Sequence, residues 1–168
     1  MFADQAVLEG AQVRLVPLGP DTDVDAYLAM LDDPEGQLLT GTHQEFTREQ
    51  VVTWLASRPA QEDRADWAVL DPQSGAFLGE AVLNDLDADN ETVGFRIALV
   101  PAARGRGIGT EVTRLVAEHA FARGLHRVEL HVYAHNPRAQ RAYEKAGFVV
   151  EGGCATCCSS TGSATTRS

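Results

Sequence analysis

Apolar and polar positions change their period along the chain, and the changes mark its elements. Residues 12–16, Gln-Val-Arg-Leu-Val, alternate as a strand does, and Pro17 with Gly19-Pro20 closes it. Asp21 opens a predicted helix over 22–32 with Ala26, Leu28 and Leu31 apolar, stopped by Pro34-Glu35-Gly36. Thr47 and Gln50 have capping-box spacing for a helix over 48–58, whose inner stripe is Val51, Val52 and Leu55. Period two then takes over. Runs at 67–70, 77–83 and 92–100, separated by turns at 71–75 and 87–90, predict an antiparallel meander. A glycine-rich corner leads into a helix over 108–123, with Ile108, Val112, Leu115, Val116 and Ala120 on one face and Gly124 as its stop. Val128, Leu130 and Val132 alternate with Glu129, His131 and Tyr133, a helix follows over 137–146, and Phe148 starts another strand. With no internal repeat or linker, the pattern predicts one mixed α/β domain.

Composition narrows this little and charge narrows it more. At 168 residues and 44% hydrophobic, the chain suits a single folded domain and excludes a disordered or fibrous class. No apolar run approaches the ~20 residues of a membrane span, and Asp4 and Glu9 replace the basic start of a signal peptide. No membrane partner and a cytoplasmic location are therefore expected. Net charge is −15 over residues 1–95 but +5 over 96–145. The acidic whole argues against nucleic acid as a partner. The basic block points to a local anion site, and the acidic half either draws in a cation or keeps the chain soluble. All three cysteines, Cys154, Cys157 and Cys158, crowd the end, which fits neither a disulfide framework nor a zinc site, and no metal is expected.

The corner reads Val100-Pro101-Ala102-Ala103-Arg104-Gly105-Arg106-Gly107-Ile108-Gly109-Thr110. Glycines let backbone N–H groups approach a ligand, and the next helix aims its positive end at the same place, which favours a phosphate-type anion. A Walker A loop needs a lysine, and the only one is Lys145; a dinucleotide fingerprint needs glycine where Thr110 stands.

Arg104-Gly105-Arg106-Gly107-Ile108-Gly109 resembles the R-x-x-G-x-G/A signature of the GNAT superfamily of acyl-CoA N-acyltransferases. Asn136-Pro137-Arg138-Ala139 followed by Tyr143-Glu144-Lys145-Ala146-Gly147-Phe148 resembles its second motif. The opening and meander look most like the bacterial branch of ribosomal-protein N-terminal acetyltransferases, and the resemblance covers residues 10–152. It implies a mixed, mostly antiparallel central sheet flanked by helices. It also implies acetyl-CoA as cosubstrate, held at its pyrophosphate by the amides of Arg104, Gly105, Arg106, Gly107, Ile108, Gly109 and Thr110. By the same resemblance, backbone groups of Leu99 and Val100 bind the pantetheine arm and thioester oxygen. Asn136 bonds the pantetheine, and Tyr143 protonates the departing thiolate.

Plainer roles exist for several of these. Tyr143 also fits an amphipathic helix, Asn136 before Pro137 is a routine N-cap, and Arg106 fits a solvated side chain. Gly107 and Gly109 have no equally good structural explanation. For the general base, Glu80 stands in mid-strand and shares a face with Asn84. His131 and His135 are rivals with a more suitable ordinary pKa. The position where related chains carry glutamate is Thr92 here, with Glu91 beside it.

These readings lead to an acetyl-CoA-dependent N-acetyltransferase acting on a primary amine, either a protein N-terminus or a small amine. The alternative is a non-catalytic acyl-CoA-binding or sensing module. The domain spans 1–153. Residues 154–168, CATCCSSTGSATTRS, lack apolar periodicity where the resemblance requires a closing hairpin. A GC-rich codon choice in another frame yields an apolar strand and an Asp-Gly turn, so the tail is expected to be frameshift-derived and the hairpin missing or altered. An open sheet edge there would admit a second copy, a homodimer.

Overall fold

Period-two patterning delivers one sheet of eight strands, ordered β1-β2-β3-β4-β5-β6-β8-β7. The computed structural model describes residues 2, 5–41, 44–154 and 161–167, with backbone alone at 153–154 and 161–167. The strands are β1 (Leu8–Glu9), β2 (Arg14–Pro17), β3 (Ala65–Leu70), β4 (Phe77–Asp87), β5 (Thr92–Leu99), β6 (Arg127–Tyr133), β7 (Val149–Cys154) and β8 (Thr161–Arg167). The helices are α1 (Val24–Leu31), α2 (Pro34–Thr40), α3 (Arg48–Ser57), α4 (Ile108–Ala122) and α5 (Pro137–Lys145). Every strand pair is antiparallel except β5–β6, which α4 connects as a crossover. Among the described residues, no helix is long and apolar enough to cross a membrane.

Alternation sorts the core onto two faces. Val93 and Phe95 of β5 and Val128, Leu130 and Val132 of β6 meet Ile108, Val112, Val116 and Ala120 of α4. On the opposite face Ala68 of β3 meets Tyr27 and Met30 of α1 and Val51 and Leu55 of α3. β3, in the middle, is buried on both faces. It carries Asp66 at 0% exposure, hydrogen-bonded by Arg64 Nε at 2.9 Å and Nη2 at 2.6 Å.

Three expectations change. Pro34 does not stop a helix but starts one: Asp33 caps α2 through Gly36 N–H, and proline suits the first turn because its missing N–H has no partner there anyway. The buried face of α1 is Tyr27 and Met30, three residues apart, with Leu28 and Leu31 only partly covered. Val52 faces outward at 47% exposure, although the Thr47–Gln50 capping box forms as expected.

The closing hairpin is present in backbone: β7 pairs with β8, and β8 lies between β7 and β6. The alteration is in its sequence. Opposite the core residues Val128, Leu130 and Val132 stand Thr166, Ala164 and Gly162, where a strand covering a core would ordinarily carry large apolar residues. Cys157 and Cys158 lie outside the described residues.

At the β4–β5 seam, a Cβ on Gly79 would come within 2.1 Å of Ala98 O, on a backbone with φ +155°. Gly79→Ala is therefore expected to cost about 1–3 kcal/mol. Gly152→Ala, with nothing within 4 Å, is expected to leave the urea midpoint in place. An unchanged midpoint for Gly79→Ala would show that the strands can separate there freely.

Candidate functional site

Pro101–Ala103 forms one 3-10 turn after β5, and the chain then reaches α4 through two glycines in left-handed backbone, Gly105 at φ +72° and Gly107 at φ +79°. That conformation favours glycine because a Cβ would crowd the carbonyl. Gly107 is the N-cap of α4 and makes no side-chain cap bond. The first α4 turn closes with Glu111 N–H on Gly107 O at 3.2 Å. Among the described residues, the N–H groups of 105–110 have no acceptor. Six consecutive donors converge on one corner at the positive end of a fifteen-residue helix. Ile108 contributes only backbone, since its side chain is buried; Thr110 Oγ1 donates to Ala142 O at 3.4 Å, holding the corner against α5. Arg106 is exposed and donates to Ala102 O at 3.4 Å.

Arg104 departs from its expected place. Its N–H donates to Pro101 O at 3.2 Å. Its guanidinium turns inward to Asp33 Oδ2 at 2.7 Å, Glu35 Oε2 at 2.9 Å and Leu99 O at 2.9 Å. The cradle therefore starts at Gly105. Partial burial alone would raise the Asp33 pKa, but bonds from Arg104 and Gly36 N–H outweigh it and hold the carboxyl below the ordinary range.

Beside the corner the sheet opens. β5 and β6 pair at only three positions, Thr92–Gly94 against Arg127–Glu129, and then part. Val100 N–H bonds Leu78 O at 2.9 Å, so Gly79 and Leu99 form a non-hydrogen-bonded pair and the polar backbone of Leu99 points away from β4 into the opening. Val100 is different: its N–H is committed to Leu78, and its carbonyl accepts from Ala103 N–H at 3.0 Å. The expected oxyanion contact from Val100 loses its donor, and of these two residues Leu99 keeps its N–H toward the opening.

Glu80 sits opposite Ala98, on the α1 face of the sheet. Tyr27 Oη donates to Glu80 Oε2 at 2.6 Å. Desolvation pushes the Glu80 carboxyl above its ordinary pKa, and the Tyr27 bond and the Arg96 charge only partly offset that. Desolvation and the Glu80 charge likewise raise the Tyr27 hydroxyl. Sequence reasoning missed Tyr27; its three-residue spacing from Met30 was the available signal. On the same face a cleft of about 280 Å³ is lined by Asn84, Thr92, Arg96, Glu129, His131 and Tyr133, among others. His131 is exposed in this cleft, whereas His135 lies beyond β6, bonded to Leu38 O at 2.9 Å and stacked on Tyr133. Glu91 is a turn residue at φ +54°, and its carbonyl receives His126 N–H.

Tyr143 approaches from the other face, on α5. Its ring packs edge-on against Phe95, centroids 6.5 Å apart, and tilted against Phe148 at 6.2 Å. Burial pushes its hydroxyl pKa up to about 12. Asn136 caps α5, accepting Ala139 N–H on Oδ1 at 3.2 Å, which leaves its amide NH₂ for other partners. Among the described residues no group of three or more His, Cys, Asp or Glu could hold a metal ion.

Comparison with known proteins agrees with this geometry. Mycothiol acetyltransferase of Beutenbergia cavernae is 38% identical over 82 residues, 49% of this chain and 27% of that protein. Spermidine N(1)-acetyltransferase of Vibrio cholerae is 30% identical over 77 residues, 45% of this chain and 44% of that protein. The chain thus aligns with less than half the length of either. The crystal structure of spermidine N-acetyltransferase from Vibrio cholerae in complex with CoA and spermine superposes with a TM-score of 0.85 at 18% identity, covering 94% of this chain and 96% of that one. That likeness is one of fold. The relatives correct one expectation: most are mycothiol acetyltransferases, with a spermidine acetyltransferase beside them, which overturns the placement beside ribosomal-protein N-terminal acetyltransferases. Residues 12–149 match the acetyltransferase (GNAT) domain family, and the chain belongs to it.

Proposed function

We propose that the chain binds acetyl-CoA at the 105–110 corner and transfers its acetyl group to the primary amine of a small molecule. The observation that carries this is the row of unpartnered N–H donors at the α4 N-terminus, beside a sheet opening with free β5 backbone. Such a cradle suits a pyrophosphate, and the unpaired edge suits an amide-bearing arm. Spermidine or a mycothiol-type amine is the acceptor class that the relatives' names suggest.

The residues fit complementary parts of the step. An amine reaches the site protonated, and Glu80, directly or through water, takes the proton that frees the nitrogen lone pair. Nitrogen then forms a bond to the thioester carbon while Leu99 N–H offers a hydrogen bond to its oxygen. The carbon–sulfur bond breaks, and the nitrogen's remaining excess proton balances the thiolate. With its pKa pushed up to about 12, Tyr143 is a poor full proton donor to a thiolate. An ordinary thiol titrates well below that, so complete transfer runs uphill, and the contribution of Tyr143 is a hydrogen bond to the departing sulfur. The Tyr27–Glu80 pair favours an enzyme over a pure binding module, since binding alone has no use for a carboxylate with a raised pKa.

A second proposal concerns the end of the chain: residues 154–168 replace the fold's own ending through a shift of reading frame. The small and polar β8 positions facing Val128, Leu130 and Val132 support it. The gene read in its other two frames is expected to encode an apolar strand there, and its absence from both would end the idea.

Four substitutions test the site. Gly107→Asp is expected to weaken acetyl-CoA binding at least tenfold in calorimetry with the fold intact, since Asp tolerates left-handed backbone better than most residues. Equal affinity would move the pyrophosphate elsewhere. Glu80→Gln is expected to lower kcat by about 10²-fold and remove the acidic limb of the pH–rate profile. Tyr27→Phe removes a bond that holds Glu80 down, so that limb is expected to move to higher pH; a limb that stays put transfers the role to His131. Tyr143→Phe is expected to reduce kcat more than acetyl-CoA affinity. Equal kcat with chemistry rate-limiting would remove Tyr143 from the reaction.

A further inference from the structure

α2 is an unusual helix to find fixed in place. None of its residues is buried, and Leu38 is 61% exposed. An apolar face therefore does not hold it. Polar bonds hold it instead, one set from each arm of the opening. From the β5 arm, Arg104 reaches the N-cap Asp33 and first-turn Glu35. From beyond β6, His135 meets Leu38 O, and Gly41, which ends α2, lies so close to Tyr133 that an added Cβ would stand 2.1 Å from its hydroxyl. α2 thus bridges β5 and β6 where they no longer pair.

Arg104 forms the tighter attachment. Its side chain is 12% exposed and holds Leu99 O as well as the two carboxylates. Gly36 makes room for it: a Cβ there would fall 2.8 Å from Asp33 Oδ2 and 3.0 Å from Arg104 Nη2. The next residue in the chain, Gly105, opens the row of free N–H donors. A ligand that orders this row orders the peptide carrying Arg104, and with it the only group that joins Leu99 O to α2 among the described residues.

We propose that Arg104 is a positioning residue that couples the anion corner to α2, whose Thr40 lines the cleft of about 280 Å³, so that filling the corner steadies the cleft wall. The coupling rests on the proposed acetyl-CoA site, but the attachment itself does not. Coupling of this kind is reciprocal: an acceptor that steadies α2 must tighten binding at the corner by the same factor. The side chain would act through α2 and Leu99, not by touching phosphate. Lysine would keep the charge but lose the fork that holds three oxygens at once.

Hydrogen exchange of segment 34–40, with coenzyme A as the probe, separates the parts. In the free protein, Arg104→Ala is expected to speed exchange in 34–40 at least fivefold while 112–120 is unchanged, with Arg104→Lys intermediate. Adding coenzyme A to the wild type is expected to slow exchange in 34–40 at least threefold. In Arg104→Ala that slowing is expected to disappear, although calorimetry finds coenzyme A affinity within threefold of wild type. Unaltered exchange of 34–40 in free Arg104→Ala would overturn the attachment. Retained slowing in the bound variant would overturn the coupling, and a tenfold loss of affinity would make Arg104 a phosphate ligand instead. If coenzyme A fails to bind the wild type, the proposed function and the coupling fall together, while the free-protein comparison still decides the attachment.

Discussion

The brevity of the β5–β6 pairing governs the rest of the structure. A sheet ordinarily satisfies every interior N–H and C=O through its neighbours, and leaving such groups unpaired is costly unless water or a ligand meets them. Here pairing stops after Gly94, so the remainder of β5 keeps one polar edge open in the middle of an eight-stranded sheet. Each neighbouring element answers to that opening. Phe95 and Tyr143 pack on one face of it, α2 crosses the other, and the glycine corner lies at its end. Closing the gap would pair the backbone but remove the place where an extended ligand arm could lie.

The two faces of the sheet then have different chemistry. Tyr143 comes from the α4–α5 side with no charged neighbour to lower its pKa. Glu80 stands on the α1–α3 side with Tyr27 bonded to it and Asp66, Arg64 and Arg96 within electrostatic reach. Separated by the sheet, Glu80 and Tyr143 cannot bond each other directly. Under the proposed function they act together only through a substrate that lies in the opening between β5 and β6. That separation keeps a carboxylate and a hydroxyl, both with raised pKa values, from simply forming a shared hydrogen bond.

Local chemistry was legible in the sequence, and tertiary placement was not. The capping box at Thr47, the glycine corner, the long face of α4 and the alternation of β6 are read from a few adjacent residues, and all appear as expected. α2 escaped because Pro34 and Gly36 read as breakers, and only the Asp33 cap turns proline into a first-turn residue. Arg104 reads as a pyrophosphate ligand through its amide because it opens the R-x-x-G-x-G/A signature that the corner resembles. Its actual partners lie about seventy positions earlier in the chain, in Asp33 and Glu35, beyond the reach of any local pattern. Tyr27 was hidden in the same way, since its hydroxyl meets a strand 53 residues later.

Charge, too, changes meaning once the chain is folded. The acidic half reads as a field that solubilises the protein or attracts cations. Several of its carboxylates have local duties instead. Asp23 and Asp33 cap helices, Asp71 and Asp87 accept backbone N–H groups that pin turns, and Asp66 is buried under two arginines. Asp33 and Glu35 also neutralise Arg104, the cation just before the anion corner. Under the proposed function, the attraction of that corner for phosphate therefore falls to backbone dipoles and to Arg106.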